Sequence, residues 1–183
     1  MWRKRLKKID DAERIVRDPV RARDRTMSRA VKLLAAKPRS ERELRDRLLE
    51  KAWTNQEIVA GVIEKLKEYR YIDDEQFARD LAVSKLRQRP QGRRRLELTM
   101  SRKKLDKEVV DNTISDAFDV LPESDLIDLA IAKRLRLKGR PKTREEIKKF
   151  YDHLQRQGFT YGLIREKMNE ISRATVDDNG DLA

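Results

Sequence analysis

The sequence predicts an all-α protein, an elongated tandem array of three three-helix repeats, and three observations carry that expectation. An apolar residue followed directly by a helix-capping residue occurs as Trp53-Thr54, Leu105-Asp106 and Phe159-Thr160, at separations of 52 and then 54 residues. Apolar residues at helical spacing flank each mark in the same register. Of 183 residues, 43% are charged and 38% hydrophobic, with only 6 Gly and 5 Pro, so helix formers dominate.

From the N-terminus, residues 1–25 read as a basic lead-in or arm, opening on Trp2, Arg3, Lys4, Arg5, Lys7 and Lys8 and passing through mixed charge to Pro19. The first repeat, 26–73, has its first helix at Ala30, Val31 and Leu34 and its second at Leu44 and Leu48, which lie nine and five residues before Trp53. Its third helix follows at Ile58 and Val62, five and nine residues after the mark. Such spacing stacks side chains on one helix face. Tyr71-Ile72 is placed to seal the end of this repeat.

The second repeat, 74–121, repeats the pattern with Ala82, Val83 and Leu86, then Leu96 and Met100, then Val110 and Ile114. Pro122 separates it from the third, 122–173, whose first helix, Leu126 to Leu137, needs a short insertion to align. Phe150 and Leu154, then Ile164 and Met168, complete the third copy. Residues 174–183, with Asp177, Asp178 and Asp181, read as a disordered acidic tail.

Thr54, Asp106 and Thr160 are each placed to accept an N–H at the start of a helix, a contribution of about 1 kcal/mol apiece. Glu57 would complete a capping box with Thr54, and Ser124 would cap the helix after Pro122. The apolar stripes are core. Burying one such side chain stabilises by roughly 1.5 to 3 kcal/mol, and one copy has too few to stand alone, so the copies must pack end to end.

Composition also narrows the function. No apolar run approaches the length of a membrane span, and the N-terminus has no apolar stretch of the secretory kind, so a cytoplasmic protein is expected. Zero Cys and a single His argue against thiol chemistry, zinc sites and histidine-based triads, and no glycine-rich phosphate loop occurs. The chain reads as a non-enzyme with no cofactor or metal. His153 is read as a helix-flank residue, and Asp73 or Asp74 as a helix cap and not a metal ligand.

A net charge of +12 points to a polyanionic partner. In the second copy Lys85, Arg87, Arg89, Arg93, Arg94, Arg95, Arg102, Lys103 and Lys104 lie on and around the first inter-helix turn, with little acid nearby in sequence. The matching turn of the third copy carries Lys133, Arg134, Arg136, Lys138, Arg140, Lys142 and Arg144. In the first copy Arg39, Arg42, Arg45 and Arg47 alternate with Glu41, Glu43, Asp46 and Glu50, which favours pairing along one helix face. Stacked copies would therefore align the later turns into a basic stripe suited to a phosphate backbone. The binding residues expected are Arg87, Arg89, Arg93, Arg94, Arg95, Lys103, Lys104, Arg136, Lys138, Arg140 and Lys142. At 5% aromatic content, stacking platforms for bases are too sparse to expect.

The segment Leu66 to Arg79 resembles the hallmark of RecX regulatory proteins, in which Tyr71-Ile72-Asp73-Asp74 precedes a Phe77-Ala78 helix start and Ser84 and Arg87 follow. Leu33-Leu34, Ser40, Glu43-Leu44, Leu48 and Lys51 follow the same family pattern, and the likeness runs from about Met27 to Ser172. Two places depart from it. Ala52 and Lys104 stand where the family often has glycine, kept here only as Gly158, so the first two helix ends are expected to close differently. Arg89-Pro90-Gln91-Gly92-Arg93 replaces a more glycine-rich turn.

The resemblance implies binding to the RecA recombinase assembled on single-stranded DNA, with inhibition of its ATPase and strand exchange. The partners expected are thus the RecA nucleoprotein filament and single-stranded DNA, with double-stranded DNA a further candidate and the chain itself a monomer. Residues alone also admit a stand-alone, sequence-tolerant DNA-binding protein, because three-helix units resemble helix-turn-helix modules, or a scaffold for an acidic protein.

Overall fold

The computed structural model describes residues 9–177, with side chains through Ile171. Among them all regular structure is helical: a short 3-10 turn at Asp11–Glu13, then α1 Pro19–Ala36, α2 Glu41–Leu49, α3 Gln56–Glu68, α4 Asp74–Gln88, α5 Arg93–Ser101, α6 Lys107–Val120, α7 Glu123–Lys138, α8 Arg144–Arg156 and α9 Tyr161–Asp177. The order gives three helices per copy, as the repeat predicts. Trp2 to Lys8 lie outside the described residues, as do 178–183 of the expected acidic tail; its residues 174–177 are instead the last of α9.

The chain packs as two compact units. Of the described residues, those through Ala78 form one, together with Arg102–Val109; Arg79–Ser101 and those from Val110 onward form the other. In the first, α1, α2 and α3 contact one another around Ala30, Leu44, Leu48, Val59, Val62, Ile63 and Leu66. Ile72 joins this core, whereas Tyr71 is exposed, so only half of the expected seal is buried. In the second, Leu96 and Met100 of α5, Ile114 and Phe118 of α6, Ile127 and Ile131 of α7, and Phe150 and Leu154 of α8 are buried. Val31 and Val83, at equivalent positions of two copies, are 44% and 43% exposed and lie outside the core.

The described residues of the expected lead-in or arm, 9–25, are bound into the first unit. The Arg14 side chain is 4% exposed and ion-pairs with Asp11 at 2.9 Å. Its guanidinium donates to the carbonyls of Lys51, Thr54, Leu49 and Ile9. Those carbonyls lie mostly around the α2–α3 turn, where helix ends leave acceptors unsatisfied. Asp18 caps α1, which begins well before residue 26, with Pro19 at its first turn.

Capping corrects four expectations, those for Thr54, Glu57, Ser124 and Asp106. α3 is capped by Asn55, which accepts from the Ile58 N–H at 2.9 Å, so Glu57 is not in capping-box position. Thr54 is fully buried instead and accepts from the Thr26 hydroxyl at 3.0 Å; a buried hydroxyl needs a partner, and α1 supplies one. Pro122, with no side-chain cap, precedes α7, and Ser124 donates to Asp125 inside the helix. Thr160 caps α9 as expected, accepting from Leu163 N–H at 3.4 Å. Asp106 instead has a carboxylate oxygen on Arg42. A capping box not anticipated from the sequence opens α8: Thr143 and Glu146 exchange side-chain and backbone bonds.

Of the two helix ends expected to close differently for want of glycine, only the first does so; the second closes as Gly158 does. Lys104 and Gly158 both take left-handed backbone, at φ 57° and 95°, while Ala52 does not. Arg70 is left-handed as well, and it closes α3 with Tyr71 N–H on the Leu66 carbonyl and Arg70 N–H on that of Lys67.

Candidate nucleic-acid interface

The same joint between neighbouring copies is built twice, once in each unit. In the first unit Ser40 caps α2, and its hydroxyl also donates to the Lys103 carbonyl, while Asp74 accepts from the Glu41 N–H at 2.8 Å. In the second, at the equivalent positions, Gly92 N–H donates to the Gln157 carbonyl at 2.9 Å and Glu123 accepts from the Arg93 N–H at 2.9 Å. In each case a helix start of one copy sits on the turn between the last two helices of the next.

The joints differ in charge, and this decides which cations remain available. Lys103 is half-buried and pairs with Glu43 at 3.3 Å; Lys104 pairs with Asp46, and Arg42 with Asp106. Lys103 and Lys104 therefore do not fit the expectation of unpaired cations, because their acids come from α2, about sixty residues earlier in the chain. The α2 charges pair only in part along their own helix, as Arg45–Glu41 and Arg47–Glu50. Glu41 also meets Lys67 at 3.2 Å. Burial acts to raise its carboxyl, but the bonds from Arg45 and Lys67 outweigh it and leave Glu41 below its ordinary value.

At the second joint the cations divide differently. Arg95 is half-buried and donates to the Arg156 carbonyl at 2.7 Å, and the Arg93 guanidinium stands over the Phe118 ring at 5.3 Å. Both are tied into the fold. Arg87, Arg89, Arg94, Arg136, Lys138 and Arg140 are exposed, and among the described residues none has an ion-pair partner. Lys142 is exposed too, although its backbone N–H is held by Glu146 at 2.7 Å; that bond and one from Thr143 N–H keep the Glu146 carboxyl below its ordinary value.

Arg89, beyond the end of α4, shares a cleft of about 250 Å³ with Lys133, Arg134 and Leu137 of α7 and with His153 and Gln157. The two basic turns singled out in the sequence thus meet here. His153 and Gln157 were not in the expected set, because they come from a third element. Asp73 caps α4 through the Gln76 N–H at 2.8 Å. Among the described residues no helix is long and apolar enough to cross a membrane.

Comparison with known proteins adds the lineage. Residues 27–66 match the model of the first three-helix domain of RecX, and residues 73–114 that of the second. The regulatory protein RecX of Chlorobium limicola is 33% identical over 146 residues, which cover 78% of this chain and 86% of that protein. RecX of Bacillus velezensis is 29% identical, over 96% of this chain and 65% of its own length. Among solved structures, RecX of Lactobacillus salivarius superposes with a TM-score of 0.69 at 19% identity, covering 84% of this chain and 98% of that one, a likeness of fold.

Proposed function

Because the chain belongs to the RecX family of regulatory proteins, we propose that it is a negative regulator of RecA that binds the RecA filament on single-stranded DNA along its groove and lowers its ATPase and strand-exchange activities. Family membership carries this reading. The exposed and unpaired Arg87, Arg89, Arg94, Arg136, Lys138 and Arg140 support it, since cations without carboxylate partners are free to neutralise phosphates or acidic protein groups. Several weak contacts made from one body add through effective concentration.

The mechanism needs no chemistry of its own. An array that touches DNA phosphates and recombinase together opposes the changes the filament undergoes while it turns over nucleotide, by binding one arrangement better than the other. The test is binding to bare single-stranded DNA and to the same DNA coated by RecA with a non-hydrolysable nucleotide, at several salt concentrations, beside the ATPase rate. Preference for coated DNA with a falling rate is expected. Equal affinity and an unchanged rate would identify a stand-alone DNA-binding protein instead.

A further inference from the structure

The cleft between α7 and α8 has the composition of an anion site. Arg89, Lys133, Arg134 and His153 line it with Gln88, Gln157 and apolar residues, and no carboxylate is among the lining residues. Among the described residues neither Arg89, Lys133 nor Arg134 has an ion-pair partner. Such a concentration of like charge costs free energy unless something offsets it.

One buried atom sharpens the point. The Arg134 Nε is shielded from solvent and, among the described residues, has no hydrogen-bond partner. An unpartnered buried donor is expensive, and an Arg fork is built to meet oxyanions. Gln157 is held where it is by its carbonyl, which accepts from Gly92 at the joint, so the cleft is positioned by the contact between copies.

We propose that this cleft is a binding site for a single phosphoryl group, with Arg134 and Arg89 as its principal ligands and His153 at its wall. Its volume of about 250 Å³ is below that of sites for drug-sized ligands and suits one tetrahedral anion better than a whole nucleotide. The shared chemistry admits two sources, a phosphate of a DNA strand or a free phosphate. The site shares Arg89 with the filament reading, but neither source requires RecA, so the two are tested separately.

His153 reports on occupancy. Burial first, then the positive charges of Arg134 on α7, Arg89 beyond α4 and Arg156 on its own helix hold the imidazole below its ordinary value, so it is neutral at neutral pH. An anion in the cleft offsets those charges and raises it. By linkage, occupancy of the cleft and protonation of His153 then favour each other.

His153 is the one histidine in the sequence, so its ring resonances in untagged, full-length protein read the site without overlap. Inorganic phosphate, titrated against sodium chloride at matched ionic strength, should give a saturable shift and an upward displacement of the His153 titration. Arg134→Gln should weaken phosphate binding by about tenfold or more with helicity unchanged, and Arg89→Gln serves as the second variant. A response equal to that of chloride, or one that persists in both variants, overturns the site. Oligothymidylates with and without a 5′-phosphate distinguish the sources: a response to both assigns a backbone phosphate, one to the phosphorylated strand alone a terminal phosphate, and one to inorganic phosphate alone a free anion.

Discussion

Gly92 and Gly158 pack backbone against backbone. A Cβ on Gly92 would stand 2.5 Å from the carbonyl carbon and oxygen of Gly158, and one on Gly158, whose φ is 95°, would stand 2.5 Å from the Arg95 nitrogen. This contact brings Gly92 N–H onto the Gln157 carbonyl and sets the entry of α5 against the turn that precedes α9. Ser40 occupies the equivalent place in the other joint and uses its hydroxyl on the Lys103 carbonyl, so that joint is closed by a side chain and this one by bare backbone.

Gly92→Ala is accordingly expected to lower stability by roughly 2 to 3 kcal/mol, the cost of forcing atoms into a packed backbone contact. Urea denaturation followed by circular dichroism checks it. A loss below about 0.5 kcal/mol, the usual range of surface changes, would mean that the joint opens without resistance.

Arg14 satisfies four carbonyls with one guanidinium. Arg14→Met keeps much of the stem but orphans those acceptors, and a loss of about 3 kcal/mol is expected. Hydrogen exchange should place the lost protection at the start of α3. Unchanged exchange there would remove Arg14 from its structural role.

Asp74 titrates against its surroundings. Burial raises its carboxyl above the ordinary 3.8, with Glu41 and Asp106 adding to the rise, while the bond from Glu41 N–H and the charge of Lys67 oppose it. Below 3.8 both folded and unfolded chains hold the proton; as pH rises, the unfolded chain releases it first, so the folded state loses stability until its own higher value is passed. Asp74→Asn keeps an acceptor for Glu41 and removes this cost, so the variant should gain on the parent between acid and neutral pH. Glu41 slopes the other way, its stabilisation being present above 4.5 and lost as pH falls through its lowered folded value, so the difference between the two unfolding curves is the quantity to measure. A difference independent of pH would rule out burial as the cause.

Charge reversal should separate binding cations from structural ones. Arg87→Glu with Arg94→Glu is expected to weaken binding to RecA-coated DNA by about tenfold or more and to flatten its salt dependence, with helicity intact. Arg95→Glu should unsettle the fold, because its guanidinium holds the Arg156 carbonyl. Equal losses of helicity in both would mean that the exposed pair is structural as well.

The helical repeat was legible in the sequence because it depends on spacing alone: Leu44 and Leu48, Leu96 and Met100, and Phe150 and Leu154 occupy one register, and all six are buried. Caps were legible less well. Thr54 and Asn55 both suit an N-cap, and the choice fell to Asn55 only because Thr26 reaches Thr54 from α1. The basic turns around Arg87–Arg95 and Arg136–Lys142 were visible as charge runs, but which of their cations stay unpaired was not.

By itself, then, the sequence determined helix content, repeat register and the sign of the charge, all of which follow from local periodicity and composition. Only the tertiary structure decided that Lys103 and Lys104 meet Glu43 and Asp46, that Arg95 is tied to a carbonyl, and that Arg89, Arg134 and His153 converge on one cleft. Pairing of charges is a matter of distance across a packed joint. Residues some sixty positions apart become neighbours only when the copies stack.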